Sequence, residues 1–171
     1  MRPAESRPCN NAASGASGGM FHSQMDAALS EAAAAAARGE VPVGAVLTDP
    51  AGRVVARAGN RTRELSDPTA HAEILAIRAA CAAAGSERLP GHRLWVTLEP
   101  CPMCAAAISA ARIEVLYYGA PDPRMGGVAH GARVFDHPQC HHRPQVYDGI
   151  GADASAALLR AFFSARRGDG R

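Results

Sequence analysis

Apolar residues recur along the chain with two periods, and these periods predict alternating helices and strands. The first helix is predicted over 20–38, where four apolar residues share one face: Met25, Ala28, Leu29 and Ala32. The same spacing predicts three further helices, over 69–84, 100–111 and 153–167. Short apolar, β-branched stretches predict five strands, over 41–48, 54–58, 94–98, 113–118 and 145–147.

Helices separate most of these strands, and this order decides the predicted fold class. Alternating strands and helices favour an α/β fold, in which helices cover both faces of a mixed sheet. Residues 119–144 have no periodic pattern, and a loop of this length inside a compact domain is usually functional or mobile.

The length and composition of the chain limit its organisation. Its 171 residues are enough for one domain with a buried core. The start of the chain is rich in Ala, Ser, Gly and Asn, so we expect a disordered extension over 1–19, a domain over 20–167 and a tail over 168–171. No apolar stretch approaches the ~20 residues that span a bilayer, so no membrane partner is expected.

Charge and cysteine content say less about function. The formal net charge of +2 is too small to identify a nucleic-acid partner, so the positions of the arginines matter more than their sum. The five cysteines are an odd number and suit a reducing cytoplasm better than a disulfide framework.

Two short segments carry candidate chemistry, and each falls at the start of a predicted helix. His71 is followed two positions later by Glu73, and Cys101 and Cys104 have the spacing that holds one metal ion. Helix N-termini favour the thiolate form of cysteine that a metal requires. Zinc with only three protein ligands keeps a position for water, and a carboxylate beside it is typical of a hydrolytic centre. H-x-E followed by P-C-x-x-C is also the general signature of zinc-dependent nucleobase deaminases.

A purely structural zinc site is the main alternative. Such a site needs a fourth protein ligand, and the candidates are Cys81, His92, Cys140, His141 and His142. None of them forms a second clean pair with His71, so the sequence favours a catalytic site. Residues 140–142 (CHH), with His130 and His137, form a histidine-dense stretch. A second metal site there stays open, although such residues more often line a loop.

Around these motifs the chain resembles the bacterial tRNA-specific adenosine deaminases, which convert the wobble adenosine of a tRNA anticodon to inosine. The resemblance covers about residues 25–167. It rests on EVPVGAVL at 40–47, DPTAHAE at 67–73, TLEPCPMC at 97–104, Asp122, and the FF and RR pairs within 162–167. It implies the three-layer α-β-α cytidine-deaminase-like fold with a five-stranded mixed sheet flanked by helices. It also implies a cytoplasmic homodimer whose tRNA site uses both subunits.

The resemblance further assigns roles to individual residues. It implies one Zn²⁺ per subunit held by His71, Cys101 and Cys104, with Glu73 moving protons. Asn60 matches a residue that hydrogen-bonds the target nucleoside, and Val43 and Ala70 match pocket-wall positions. Together with five candidate contacts to the tRNA, they give eight expected substrate residues, with the anticodon arm of an arginine tRNA as the first expectation: Val43, Asn60, Ala70, Asp122, Arg143, Phe163, Arg166 and Arg167. For these residues a turn, a core position or a solvated surface is the alternative role. Glu99 is expected to orient the cysteine loop.

Two segments depart from the family pattern, and two other functions stay open. Residues 123–131 read PRMGGVAHG where the family often has a basic residue and a small-residue run ending in Gly-Ser, and 140–143 read CHHR where it usually has Asn-His-Arg. The zinc motif is untouched by this. One alternative function is a deaminase of free guanine, cytosine or nucleosides. The other is a non-catalytic, zinc-stabilised RNA-binding module.

Overall fold

The computed structural model describes residues 22–168, which form one five-stranded sheet between two helical layers. The helices are α1 (Met25–Ala37), α2 (Ala72–Ala84), α3 (Pro102–Ala110) and α4 (Ala152–Gly168). The strands are β1 (Gly44–Thr48), β2 (Val54–Gly59), β3 (Arg93–Leu98), β4 (Val115–Ala120) and β5 (Gln145–Tyr147). A single 3₁₀ turn, Val134–Asp136, interrupts the long connection between β4 and β5.

The sheet is mixed, with strand order β2-β1-β3-β4-β5. Strand β1 pairs antiparallel with β2 and β3, whereas β3, β4 and β5 run parallel. Helices α1 and α4 pack on one face, and α2 and α3 pack on the other. Alternate residues of each strand therefore enter different clusters: Leu47 and Val96 lie under α2 and α3, while Val46 and Trp95 lie under α1.

The predicted fold class, the four helices and the five strands are confirmed, but several ends differ for local reasons. Helix α2 begins after the predicted residue 69, because the Asp67 carboxylate accepts hydrogen bonds from the N–H and hydroxyl of Thr69 and holds a turn there. Strand β4 begins later than residue 113, because the Ile113 N–H still bonds the Ile108 carbonyl of α3 and Arg112 has a φ of 60°.

Three predictions at the ends of the chain fall partly or wholly outside the residues that the structure describes. The proposed extension over 1–19 and the first two residues of the predicted first helix lie outside the described residues, as do the last three residues of the proposed tail. Within 22–168, the helices lack the length and apolar character required to cross a bilayer.

The topology brings two helix N-termini to one place. Cys101 follows the end of β3, and Asp122 follows the end of the parallel strand β4, so both lie at the same edge of the sheet. His71 precedes α2, which contacts α3 on the same face of the sheet. Side chains from distant parts of the sequence therefore converge at this edge, where open α/β sheets commonly bind ligands.

Candidate metal centre and its cavity

Three potential metal ligands converge where α2 and α3 begin. His71 and Cys101 are the residues just before the two helices, with extended backbone (ψ 152° and 168°), and neither side chain caps its own helix. His71 Nδ1 lies 3.7 Å from Cys101 Sγ and 3.5 Å from Cys104 Sγ. Over residues 22–168, these three form the one group of three or more such side chains whose ligand atoms lie within 4.8 Å of one another.

The spacing of these atoms fits zinc. Typical Zn–S and Zn–N bonds at a tetrahedral angle place the sulfur and nitrogen about 3.6 Å apart, which matches both observed distances. None of the five candidates for a fourth ligand joins the group, so the number of potential ligands is the three that are typical of catalytic zinc sites rather than the four of structural ones.

The histidine-dense stretch has other contacts. The Ser109 hydroxyl donates a hydrogen bond to the His142 carbonyl at 2.7 Å, and the Cys140 thiol donates to the same carbonyl at 3.1 Å. The His142 ring nitrogen Nε2 lies 2.6 Å from the Ile113 carbonyl. These contacts tie the segment before β5 to the end of α3, and no metal-ligand group forms there among the described residues.

Of the two cysteines, Cys104 keeps its proton and donates it in a hydrogen bond to the Cys101 sulfur. The pKa of Cys101 is lowered to about 4, mainly because the Cys104 thiol donates a hydrogen bond to it and further because His71 lies beside it. The pKa of Cys104 is raised, because its thiol is the donor and is buried. The hydrogen bond to Cys101 also raises the pKa of His71. A divalent cation takes the place of such a shared proton when it binds thiolates.

Glu73 lies in the first turn of α2 and lines the same cavity as His71 and Cys101. Only 3% of it is exposed, and this burial raises the pKa of its carboxyl. A carboxyl whose pKa moves toward neutrality can take up and release a proton during a reaction. The arrangement therefore places a proton carrier beside a metal-ligand cluster.

The cavity at this site has a volume of about 470 Å³, within the usual range for small-ligand pockets. Of the predicted substrate residues, Val43, Asn60 and Asp122 line it together with His71, Glu73 and Cys101. Sequence reasoning missed eight other lining residues as substrate contacts: Val41, Thr62, Pro68, Leu98, Glu99, Pro102, Met103 and Met125. Met103 lies between the two cysteines, so its position in the motif was a signal that could have found it.

Asn60 joins the end of β2 to the start of α2. Its side-chain Oδ1 accepts a hydrogen bond from the Ala72 N–H at 2.9 Å, and its own N–H donates to the Val43 carbonyl at 3.0 Å. Because Oδ1 is engaged in this way, the orientation of the amide is set and its NH₂ group is the part available to the cavity.

Asp122 has a structural contact as well as a place in the cavity wall. Its Oδ1 accepts hydrogen bonds from the N–H groups of Arg124 and Met125, each at 3.0 Å. This oxygen therefore shapes the turn that begins the long connection after β4, while the residue still faces the cavity.

The other predicted substrate residues lie elsewhere. Ala70 is fully buried and does not line the cavity, and Arg143 is exposed before β5. Phe163, Arg166 and Arg167 line a second cavity of about 460 Å³ on α4. We call the four arginines that line this second cavity the arginine patch: Arg124, Arg160, Arg166 and Arg167. Phe163 is 48% exposed beside them.

Glu99 binds a segment that its sequence motif did not indicate. Its carboxylate, only 2% exposed, binds the segment 122–130, which we call the anchored loop. The N–H groups of four loop residues donate to it: Asp122, Val128, Ala129 and His130, at 2.8–3.2 Å. The Asp122 N–H bonds Oε2 and the other three bond Oε1, and the His130 ring nitrogen Nδ1 lies 2.7 Å from Oε2. Burial acts to raise the pKa of this carboxyl, but the hydrogen bonds lower it overall.

Comparison with known proteins agrees with this geometry. The family model of the cytidine and deoxycytidylate deaminase zinc-binding region matches residues 21–120. The chain is similar to a tRNA-specific adenosine deaminase of Agrobacterium fabrum, at 61% identity over 85% of this chain and 95% of the relative. It is also similar to the protein of that name from Rickettsia bellii, at 44% identity over 81% and 97%.

Solved structures resemble the fold as a whole. One, from a study of A-to-I editing by tRNA:A34 deaminases at the wobble position, has 62% identity, a TM-score of 0.78, and coverage of 79% of this chain and 97% of its own. A guanine deaminase from Nitrosomonas europaea has 24% identity and a TM-score of 0.72, over 82% and 83% of the chains. The second likeness shows the fold alone.

Proposed function

The chain belongs to the cytidine and deoxycytidylate deaminase family and, within it, to the tRNA-specific adenosine deaminases, and from this membership we propose the following function. The protein is a zinc-dependent deaminase that converts adenosine to inosine at the wobble position of a tRNA anticodon. The observation that carries this function is that His71, Cys101 and Cys104 converge on one another at a cavity that is lined by His71, Cys101 and buried Glu73.

His71, Cys101 and Cys104 would hold one zinc ion per subunit, since their atoms have the chemistry and spacing of a three-ligand site. When bound, zinc supplies Lewis-acid activation of water at neutral pH. Glu73 is placed to accept a proton from the attacking water and to deliver it to the ring nitrogen of the adenine. The water oxygen bonds to the ring carbon that carries the amino group, the C–N bond breaks, and ammonia leaves with a second proton to give inosine.

Two cavity residues orient the base. The Asn60 amide NH₂ is a donor whose direction is set by the Ala72 N–H, so it suits an acceptor atom of the target nucleoside. Val43 is buried and offers an apolar wall for the purine ring. An adenosine in an anticodon loop must leave its stack to reach such a cavity.

The arginine patch supports a polynucleotide substrate over a free base. All 18 basic residues of the chain are arginines, whose forked guanidinium groups suit bidentate binding of phosphate. Four of them surround an apolar cavity with Phe163 exposed at its edge, where an unstacked base has an aromatic surface to contact. We assign the patch to the anticodon arm, and we extend this assignment to exposed Arg143.

The biological setting follows from the same assignment. We propose an arginine tRNA as the substrate and a cytoplasmic homodimer as the working form, as the family resemblance implies. Free thiols at Cys81, Cys101, Cys104 and Cys140 suit a reducing compartment. Burial of the Glu73 carboxyl costs free energy of folding, and a module that only binds RNA would have no use for it. This burial therefore argues against a non-catalytic role.

The direct test is incubation of the purified, zinc-loaded protein with an arginine tRNA that has adenosine at the wobble position, reading inosine by sequencing. We expect conversion at that position, and no ammonia release in parallel reactions with free guanine, cytosine or adenosine. Release from a free base without conversion of the tRNA would assign the protein to the small-molecule deaminases.

A salt titration tests the arginine patch separately. Replacement of Arg167 by Gln should weaken tRNA binding and reduce the slope of log affinity against log salt by about 1, because one phosphate contact is lost. Arg88→Gln, on the exposed segment before β3, is the matched control and should leave the slope unchanged. An unchanged slope in the Arg167 variant would remove this residue from the RNA interface.

A further inference from the structure

The anchored loop presents two side chains to the catalytic cavity. Asp122 and Met125 both line it, and Met125 is 67% exposed, whereas Gly126 and Gly127 directly behind it are buried. Asp122 is already engaged in the turn through its Oδ1. Met125 is therefore an apolar side chain at the cavity mouth with most of its surface available to a ligand.

The backbone behind Met125 has no freedom to move inward. A Cβ atom on Gly126 would lie 2.5 Å from the Asp122 carbonyl and 2.6 Å from Glu99 Cδ. At Gly127 it would lie 2.5 Å from the Pro102 backbone nitrogen, at the start of α3. The loop thus fits against Glu99 and against the helix that follows Cys101, so close packing prevents it from moving nearer to the metal-ligand cluster.

His130 closes the loop from the other end. Among the hydrogen bonds to Glu99 over residues 22–168, four come from backbone N–H groups and one from a side chain, the His130 ring at 2.7 Å. The His130 side chain is 39% exposed, so it covers the buried carboxylate from the solvent side. The four backbone N–H donors are present whatever residues the loop contains, whereas the fifth hydrogen bond requires a donor side chain at position 130.

We propose that His130 is a positioning residue for the deamination: through Glu99 it holds the anchored loop so that Met125 contacts a base of the bound RNA at the cavity mouth. This inference rests on the proposed function, because it names a contact to the same substrate. The thioether of Met125 is a polarizable group that packs well on aromatic rings, and a base that leaves its stack offers such a ring.

Steady-state kinetics on the tRNA substrate test this assignment. We expect Met125→Ala and His130→Ala each to raise KM roughly 2- to 10-fold, with kcat changed by less than about 2-fold, because a contact made equally in ground and transition states is lost. The double variant should have a KM no higher than the larger of the two single effects, since both changes remove one contact. His130→Asn, whose amide nitrogen replaces Nδ1–H as donor, should restore most of the affinity.

The controls separate this contact from general damage. Leu65→Ala removes an exposed apolar side chain outside the cavity, and His92→Ala removes a half-buried ring before β3, so both should keep the parent KM. If His130→Ala unfolds, Met125→Ala decides alone, because its side chain is exposed and its removal leaves the core intact.

Three results would overturn the proposal: a parent KM in Met125→Ala, additive effects in the double variant, or a fall in kcat without a change in KM. Absence of tRNA deamination by the unmodified protein would refute the proposed function. This result is distinguishable from the three above, because it is obtained with the parent protein before any variant is measured.

Discussion

Glu73 and Glu99 line the same cavity and are almost fully buried, yet the pKa values of their carboxyl groups are shifted in opposite directions. At the start of α2, burial dominates and raises the pKa of Glu73. At the anchored loop, burial is outweighed by hydrogen bonds from Asp122, Ala129 and His130, and the pKa of Glu99 is lowered. Burial of a glutamate therefore does not identify its role, because the number of donors around it decides whether its proton is mobile.

The difference separates a chemical role from a structural one. Glu73 stands beside His71 and the two cysteines, where a carboxyl that exchanges protons can act in hydrolysis. Glu99 remains an anion that organises the backbone of the opposite wall. The predictions below test this separation, beginning with the change that should have the largest effect.

Loss of a metal ligand should remove function altogether. In Cys104→Ala, the buried thiolate is missing from a three-ligand site, so we expect zinc to be lost and deamination to fall to background. Zinc content by elemental analysis and inosine formation should fall together. Cys81→Ala, a half-buried cysteine on α2 outside the cluster, should keep both. Full zinc content in the Cys104 variant would exclude this residue as a ligand.

Replacement of Glu73 should abolish turnover without loss of metal. Glu73→Gln keeps the shape of the side chain but cannot carry the proton, so kcat should fall roughly 10²- to 10⁴-fold. Zinc content and tRNA binding should match the parent protein, as measured by elemental analysis and filter binding. If zinc content falls as it does in Cys104→Ala, Glu73 is a ligand and its contrast with Glu99 has another cause.

Replacement of Glu99 should affect stability first. Glu99→Gln turns an NH₂ group toward backbone donors that need an acceptor, so we expect the free energy of unfolding to fall by about 2–4 kcal/mol. In a domain of this size, that change lowers the melting temperature by roughly 5–15 °C. Calorimetry measures it, with exposed Glu87→Gln as the control. A melting temperature equal to the parent's would contradict the role of Glu99 as the centre of the loop.

The sequence predicted one side of this cavity much better than the other. His71, Cys101 and Cys104 form short motifs at helix starts, and the motifs fix both the donor chemistry and the local spacing. Their convergence then follows from the α/β topology, which places the start of α2 beside that of α3. The periodic segments predicted the four helices and five strands of residues 22–168 for the same reason, because short-range spacing encodes them.

The anchored loop could not be predicted in this way. Glu99 bonds residues 23–31 positions further along a segment without periodicity, and nothing local identifies those partners. The motif around Glu99 suggested a role in the cysteine loop, whereas the donors come from the connection after β4. Met125 was missed because its exposure at the cavity depends on that folded loop and not on its neighbours in sequence.

The smallest effect we predict concerns acid stability, and it sharpens the contrast between the carboxyls. The folded-state pKa of Glu99 lies below the ordinary value of 4.5, so its hydrogen bonds stabilise the fold above about pH 4.5. This contribution is lost as the pH falls from there through the lower folded-state pKa, where the carboxylate is protonated. Melting temperatures between about pH 3 and 7 should therefore decline less steeply at the acid end in Glu99→Gln than in the parent.

The contribution of Glu73 to stability changes with pH in the opposite direction, because a raised pKa in the folded state means that ionisation above pH 4.5 costs stability. Glu73→Gln should accordingly be most stabilising, relative to the parent, at the neutral end of the same series, and parallel curves for the two variants would show that the two carboxyls do not differ as described.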